Sequence, residues 1–241
     1  ATTDPLALAY DGTYLYILVD ASPKDKILLV DPTDTSDPAT IVSSYDAPDD
    51  EGEGLTYLGT SLYYTSNKDN NRRIYELNSS NGTEIINFYP LEQGGWNIGW
   101  DLLGLGNDGT DLVLATNTQW DPCLDTIDKT NGDNEGRLCA DWDKGIKQAE
   151  AVAVASDGFI LAAKDNDLYQ LDPEGQEHAK WENLTLASDI KGLAFVGNTL
   201  YIADDDATDK VYKTAVPTGI NVSTDPLALA YGTANNISTL F

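Results

Sequence analysis

Five segments of this chain fall on one pattern, and the interval between them limits the fold more than any other feature of the sequence. PLALAYDGTYLYILVD, GLTYLGTSLYYTSN, DLLGLGNDGTDLVLATN, AVAVASDGFILAAKD and GLAFVGNTLYIADDD each read as an apolar strand, a tight turn marked by Gly with Asp, Asn or Thr, and a second strand ending in polar residues. Aligning Leu6, Leu55, Leu102, Val152 and Leu193, with Leu227 beyond them, spaces the units by mostly about 40–50 residues, the length of a β-propeller blade.

Further strands complete each unit. A third is expected at Lys26 to Val30, Arg73 to Leu77, Asp167 to Leu171 and Lys210 to Ala215, and an outer fourth at, for example, Ala39 to Tyr45 and Thr83 to Tyr89. In unit three the segment Cys123 to Cys139 reads as an excursion replacing the regular third strand. The first strands are almost continuously apolar and rich in Ala and Gly, as strands packed on both faces around an axis require, whereas the outer strands are expected to alternate. The fold expectation is an all-β, five-bladed β-propeller of mostly four-stranded blades. It spans residues 1–223, with blades at about 4–48, 49–95, 96–147, 148–188 and 189–223, followed by a terminal strand segment at 224–241.

That terminal segment repeats the beginning. TDPLALAY occurs at Thr3 to Tyr10 and again as Thr224, Asp225, Pro226, Leu227, Ala228, Leu229, Ala230 and Tyr231. Both copies suit the innermost slot of blade one, and a ring has room for one of them there. The second copy is therefore expected to pair with a neighbouring subunit, which predicts self-association, to begin a further propeller, or to stand idle beside a ring closed within the chain.

Composition narrows the partners. Against 14 Lys and Arg stand 40 Asp and Glu, a net charge of −26. Such a surface repels nucleic acid and anionic membranes and suits calcium, a cationic partner or a high-salt medium. The longest apolar stretch, Tyr14 to Val19, is too short to span a bilayer, and the absence of Met reads as a processed form or a piece of something longer. Cys123 and Cys139, the only cysteines, are expected to form a disulfide, worth about 3 kcal/mol in the chain-entropy view. With the sequons at Asn78, Asn81, Asn183, Asn221 and Asn236, they point to an extracellular or cell-surface glycoprotein.

The unit pattern, roughly GLAY-x-G-x-LYI-x-D followed by IYxLDP, resembles the propellers of NHL-repeat, YncE-like and SMP-30-like proteins. More locally, GEGLTYLG, SLYYTSN and FYPLEQGGWNIGW look like blades two and three of the plant and bacterial type of glutaminyl cyclotransferase. That resemblance implies a catalytic glutamate at Glu53, pocket aromatics at Trp96 or Trp100, and Glu150 as an acidic neighbour. The chain departs from the family in its first blade, where Asp4-Pro5-Leu6 stands for a Gln-Gly-Leu-type entry, and around the two cysteines.

Taken by position alone, Asp4, Glu53, Asp101, Glu150 and Lys191 precede the inner strands and are expected to converge on one channel mouth. Carboxylates gathered there would raise one another's pKa values unless a cation or Lys191 compensates, and calcium suits such hard oxygen ligands. A second candidate metal cluster is Asp204, Asp206 and Asp209. His178, the only histidine, reads as an exposed turn residue with no nucleophile partner. Three functional readings follow: a structural or binding module that assembles through its repeated strand, a glutaminyl cyclotransferase-like enzyme, and a glycan-binding propeller using its tryptophans.

Overall fold

The computed structural model describes residues 4–36, 39–92, 96–97, 101–117, 123–139, 148–205 and 210–215. Among them, five antiparallel sheets succeed one another along the chain, each with its strands in sequential order. The innermost strands are Pro5–Tyr10, Gly52–Leu58, Leu102–Asn107, Ala151–Val154 and Ile190–Val196. The second strands are Leu15–Val19, Ser61–Ser66, Leu112–Thr116, Ile160–Lys164 and Thr199–Asp204. Third strands lie at Lys26–Val30, Arg73–Asn78, Cys123–Ile127, Asp167–Leu171 and Lys210–Ala215, and outer strands at Ile41–Asp46, Glu84–Phe88, Asn134–Cys139 and Glu177–Trp181. A small hairpin of Leu91–Glu92 with Trp96–Asn97 precedes blade three. The fold is a five-bladed β-propeller.

Hydrophobic burial explains the ring. Each of five apolar clusters fills one junction between neighbouring blades, so no blade has a core of its own. Leu8, Ile17, Ala194 and Tyr201 join blade one to blade five, and the Tyr201 hydroxyl donates to the carbonyl of Pro32 at 3.0 Å across the same closure. Second strands are sandwiched on both faces, which is why LYILV at 15–19 is buried at every residue.

Turn chemistry repeats as well. Asp11-Gly12-Thr13 and Asp108-Gly109-Thr110 occupy the first hairpin of blades one and three. The Asp11 carboxylate accepts from the N–H groups of Thr13 and Tyr14, both at 2.7 Å, and Asp108 accepts from Thr110 and Asp111, both at 2.8 Å. The central glycines have φ of +95° and +96°, a left-handed conformation that a side chain would strain.

Three expectations need correction. First, Cys123 to Cys139 is no excursion: it forms a regular third strand and outer strand. Cys123 is disulfide-bonded and faces Cys139 directly across the pair. The polar residues that read as a loop are the turn of an outer hairpin plus Asp125, which is buried and held by Arg137 and Asn134, each at 2.9 Å.

Second, the outer strands do not alternate: Ile41–Asp46 is exposed at every residue but Tyr45, Glu84–Phe88 at its first three, and Glu177–Trp181 is half-buried throughout, since each closes its sheet with no strand beyond it. Third, the inner strands align differently. Ala7, Gly54, Ala151 and Gly192 pair with Leu18, Thr65, Ala163 and Ala203, and with Gly104 they converge on the axis. The equivalent apolar residues are therefore Leu8, Leu55, Leu105, Val152 and Leu193. Leu6 and Leu102 sit two and three residues out of phase.

Candidate functional site

The phase error has a local cause. In blades one, two and five a β-bulge inserts one residue just before the axial Ala or Gly: Leu6, Glu53 and Lys191. In blade three the same irregularity falls between Leu102 and Leu105, and in blade four Glu150 immediately precedes Ala151. The residues in equivalent positions at the mouth are thus Leu6, Glu53, Leu103, Glu150 and Lys191. Asp4 and Asp101 belong to a different ring, with Glu51 and Asp189, two residues earlier than the Glu53 position. There the carbonyls of Asp4, Glu51, Asp101 and Asp189 accept from the N–H groups of Asp20, Asn67, Asn117 and Asp205 at 2.8–3.0 Å, one clasp in each of blades one, two, three and five.

Below the bulges the five small residues pinch the axis to a cavity of about 10 Å³, room for no more than a single water. At the glycines a side chain is excluded by contact. A Cβ on Gly104 would lie 2.8 Å from the Ala151 Cα, and one on Gly192 would lie 2.8 Å from the Ala7 Cα. Beyond this neck the opposite end opens into a separate cavity of about 100 Å³ lined by residues such as Thr56, Tyr57, Asn107 and Phe195.

Glu53 is half-buried at the mouth. Burial pushes its carboxyl up to about 7, against the downward pull of the Asn67 hydrogen bond and the nearby Lys191 charge, with Asp101 and Glu150 adding a smaller upward push. Asn67 stands at the end of the second strand of blade two. Its amide donates to Glu53 Oε1 at 3.3 Å and to the Leu102 carbonyl at 2.9 Å, while its Oδ1 accepts from the Leu102 N–H at 2.8 Å. Blade three is thereby clamped to the acid.

The other charges are compensated. Lys191 forms an ion pair with Glu150 and a second, at 3.1 Å, with Asp189. Burial alone would lower its pKa, but these two carboxylates outweigh that and hold it above the ordinary lysine value. Asp101 pairs with the Arg72 guanidinium at 2.7 Å. Of the expected mouth set, Glu53, Asp101, Glu150 and Lys191 share one electrostatic neighbourhood, and Asp4 stands in the clasp ring with its backbone engaged.

A second buried acid pair lies in the junction of blades one and two. Asp25 is fully buried, and Asp49 nearly so. Asp25 Oδ2 accepts from the Gly52 N–H at 2.8 Å, and the Asp49 oxygens accept from the Tyr64 hydroxyl and the Ser66 hydroxyl, each at 2.7 Å. Burial pushes Asp25 up to about 6, resisted by the Gly52 and Ala21 N–H groups and aided by Asp20 and Asp49. Asp25 and Asp49 both lie in runs of polar residues, and nothing in those runs signals that the two turn inward. Asn67, Arg72 and Asp25 are the residues that sequence reasoning missed; the one available signal was the polar residue that closes each second strand.

The remaining candidates divide by position. Asn78, Asn81 and Asn183 are exposed. Asp204 is buried, and its Oδ1 accepts from Ser188 and Asp189 N–H groups at 2.9 and 2.8 Å. No group of three or more His, Cys, Asp or Glu among the described residues is placed to hold a metal. His178 lies in the outer strand of blade four, half-buried and edge-on to Phe159 with ring centroids 5.4 Å apart, and is not an exposed turn residue. Asp206, Asp209, Trp100, Asn221, Asn236 and the second octapeptide Thr224 to Tyr231 lie outside the described residues, as does the side chain of Trp96.

No family model matches the chain, and no curated protein matches it. Solved structures do. A glutaminyl cyclase from Myxococcus xanthus superposes with a TM-score of 0.56 at 13% identity, covering 90% of each chain. A protein of unknown function from Bacteroides caccae gives 0.53 at 12%, covering 89% of this chain and 78% of that one. The β-propeller domain of Cps50 (Swd1) from Myceliophteria thermophila gives 0.52 at 12%, covering 95% and 70%. These likenesses establish the propeller fold.

Proposed function

We propose that the Glu53 end of the axis is a proton-transfer site for intramolecular acyl transfer, with an N-terminal glutamine as substrate and glutaminyl cyclisation as the reaction. The observation that carries this reading is the Glu53 carboxyl, raised to about 7 by burial at a mouth whose other charged side chains are tied into ion pairs. A peptide α-amine titrates near about 8, so a proton passes between the two groups at little cost.

In the reaction the substrate α-amine attacks its own γ-carboxamide carbon, and a C–N bond forms. Ionised Glu53 takes the proton that the amine sheds. It then returns that proton to the amide nitrogen as the original C–N bond breaks, and ammonia leaves. The acid ends as it began, so one residue serves as base and then acid. Asn67 fixes Glu53 Oε1, and the Lys191 ammonium, held by Glu150 and Asp189, limits how far its pKa can climb. The acidic surface favours the approach of a cationic N-terminus. The likeness to a glutaminyl cyclase and the GEGL segment carrying Glu53 point the same way.

The test is direct. A peptide beginning with glutamine should lose ammonia in the presence of the unmodified chain, and Glu53→Gln should slow that by about 10²–10⁴-fold, the range of general acid–base catalysis. No turnover by the unmodified chain, or full turnover by Glu53→Gln, overturns the proposal.

A further inference from the structure

All four outer strands described share one construction, and blades one and two depart from blades three and four in how they fill it. In each, a β-bulge sets the second residue of the strand out of register. That residue is Val42, Ile85, Glu135 and His178 in blades one to four. Bulges at sheet edges turn the strand away from further pairing, which keeps backbone groups from recruiting a new strand. In three of the four the bulged side chain is exposed.

Blades three and four fill the slot in ways that suit solvent. Glu135 is charged and exposed, and His178 folds back on Phe159. Blades one and two place aliphatic side chains there. Val42 is 51% exposed and Ile85 57%, flanked by exposed Ile41 and Ile86. Apart from Tyr89, which follows directly on the outer strand of blade two, these are the exposed large hydrophobic residues among the described ones. The two strands belong to neighbouring blades, and the Tyr45 hydroxyl of the first donates at 3.1 Å to the carbonyl of Ser79, in the turn that leads into the second.

We infer that the outer faces of blades one and two, centred on Val42 and Ile85, form a docking surface for a second copy of this chain. Charge selects that occupant. Residues Ala39 to Tyr45, ATIVSSY, carry no charged side chain in a chain whose net charge is −26, Asp46 at the end of the strand is neutralised by Lys26 at 2.7 Å, and the outer strand of blade two, EIINF, carries a single carboxylate, the exposed Glu84 beside Ile85. A cationic partner is drawn to the acidic remainder of the surface. Two copies approach with least repulsion where the surface is neutral, and a two-fold contact there sets apolar side chains against their own kind. Because the rest of the two acidic chains still repel, the contact strengthens as salt screens them.

Light scattering on the full chain at low and high salt tests this, beside the double variant Val42→Lys/Ile85→Lys and a chain ending at Ser223. The full chain should show a dimer that gains population with salt. The double variant should raise the dissociation constant by about tenfold or more with an unchanged circular dichroism spectrum, and the shortened chain should still dimerise. Should the double variant fail to fold, Val42→Thr, which keeps the β-branched shape, should weaken the dimer several-fold. A full chain of monomer mass at both salt concentrations overturns the inference. So does a dimer that survives a folded Lys variant or Val42→Thr, and so does one lost only on removal of the second octapeptide.

Discussion

Glu53 and Asp25 are both carboxyls lifted by burial, to about 7 and about 6, yet they differ in what a proton can do after leaving. Glu53 stands at a mouth, half-buried, with an adjustable amide partner in Asn67. Asp25 is sealed in the joint between two blades against the Gly52 N–H, where a Cβ on Gly52 would lie 2.8 Å from Asp25 Oδ2 and 2.5 Å from the Tyr64 ring. A raised pKa therefore marks reactivity only where the group is reachable. At the sealed site the same physics becomes a term in stability.

The largest test of that contrast is the pH dependence of folding. Asp25 titrates near 3.8 when unfolded and near 6 when folded, so the folded state holds its proton more tightly. The stabilisation is complete below about pH 4 and is lost as pH rises through about 6, by roughly 2–3 kcal/mol. Urea denaturation from pH 4 to pH 7 should show this fall on top of the one that Glu53, raised to about 7, contributes by the same linkage, and Asp25→Asn should remove the Asp25 share and leave a shallower slope. An unchanged slope in the variant would place the titration elsewhere.

Next in size, the acid limb of kcat/KM for cyclisation should bend near pH 7, falling about tenfold for each unit below it. Asp25→Asn should leave that bend where it is, since the sealed acid never meets substrate. A limb that moved with Asp25 would erase the distinction between the two carboxyls. The smallest effect concerns Lys191→Met. Removing the ammonium takes away a downward pull on Glu53, so the limb should shift to higher pH, a change of a few-fold in rate near neutrality. A shift to lower pH would reverse the assigned role of Lys191.

The sequence showed its five-fold period openly because strand alternation and turn residues recur with each blade, and the Asp-Gly-Thr turns kept both residues and hydrogen bonds. Glu53 was legible for the same reason, through GEGL. Its companions were harder to place. A bulge adds a residue without a residue type of its own, so Asp4 and Asp101 looked equivalent to Glu53, while the true counterparts, Leu6 and Leu103, were hidden by their apolar character. Asn67 and Arg72 reach across a blade boundary, a relation that one strand's pattern does not encode. The outer hairpin of blade three read as a loop because Asp125 is a buried charge whose partner Arg137 lies twelve residues on.

The narrow waist formed by Ala7, Gly54, Gly104, Ala151 and Gly192 makes the Glu53 end a cul-de-sac. Nothing larger than water passes through, so a reaction at that end has a single doorway for arrival and departure. A spent product must back out before the next molecule can enter, and product should inhibit by competing with substrate for the same entrance.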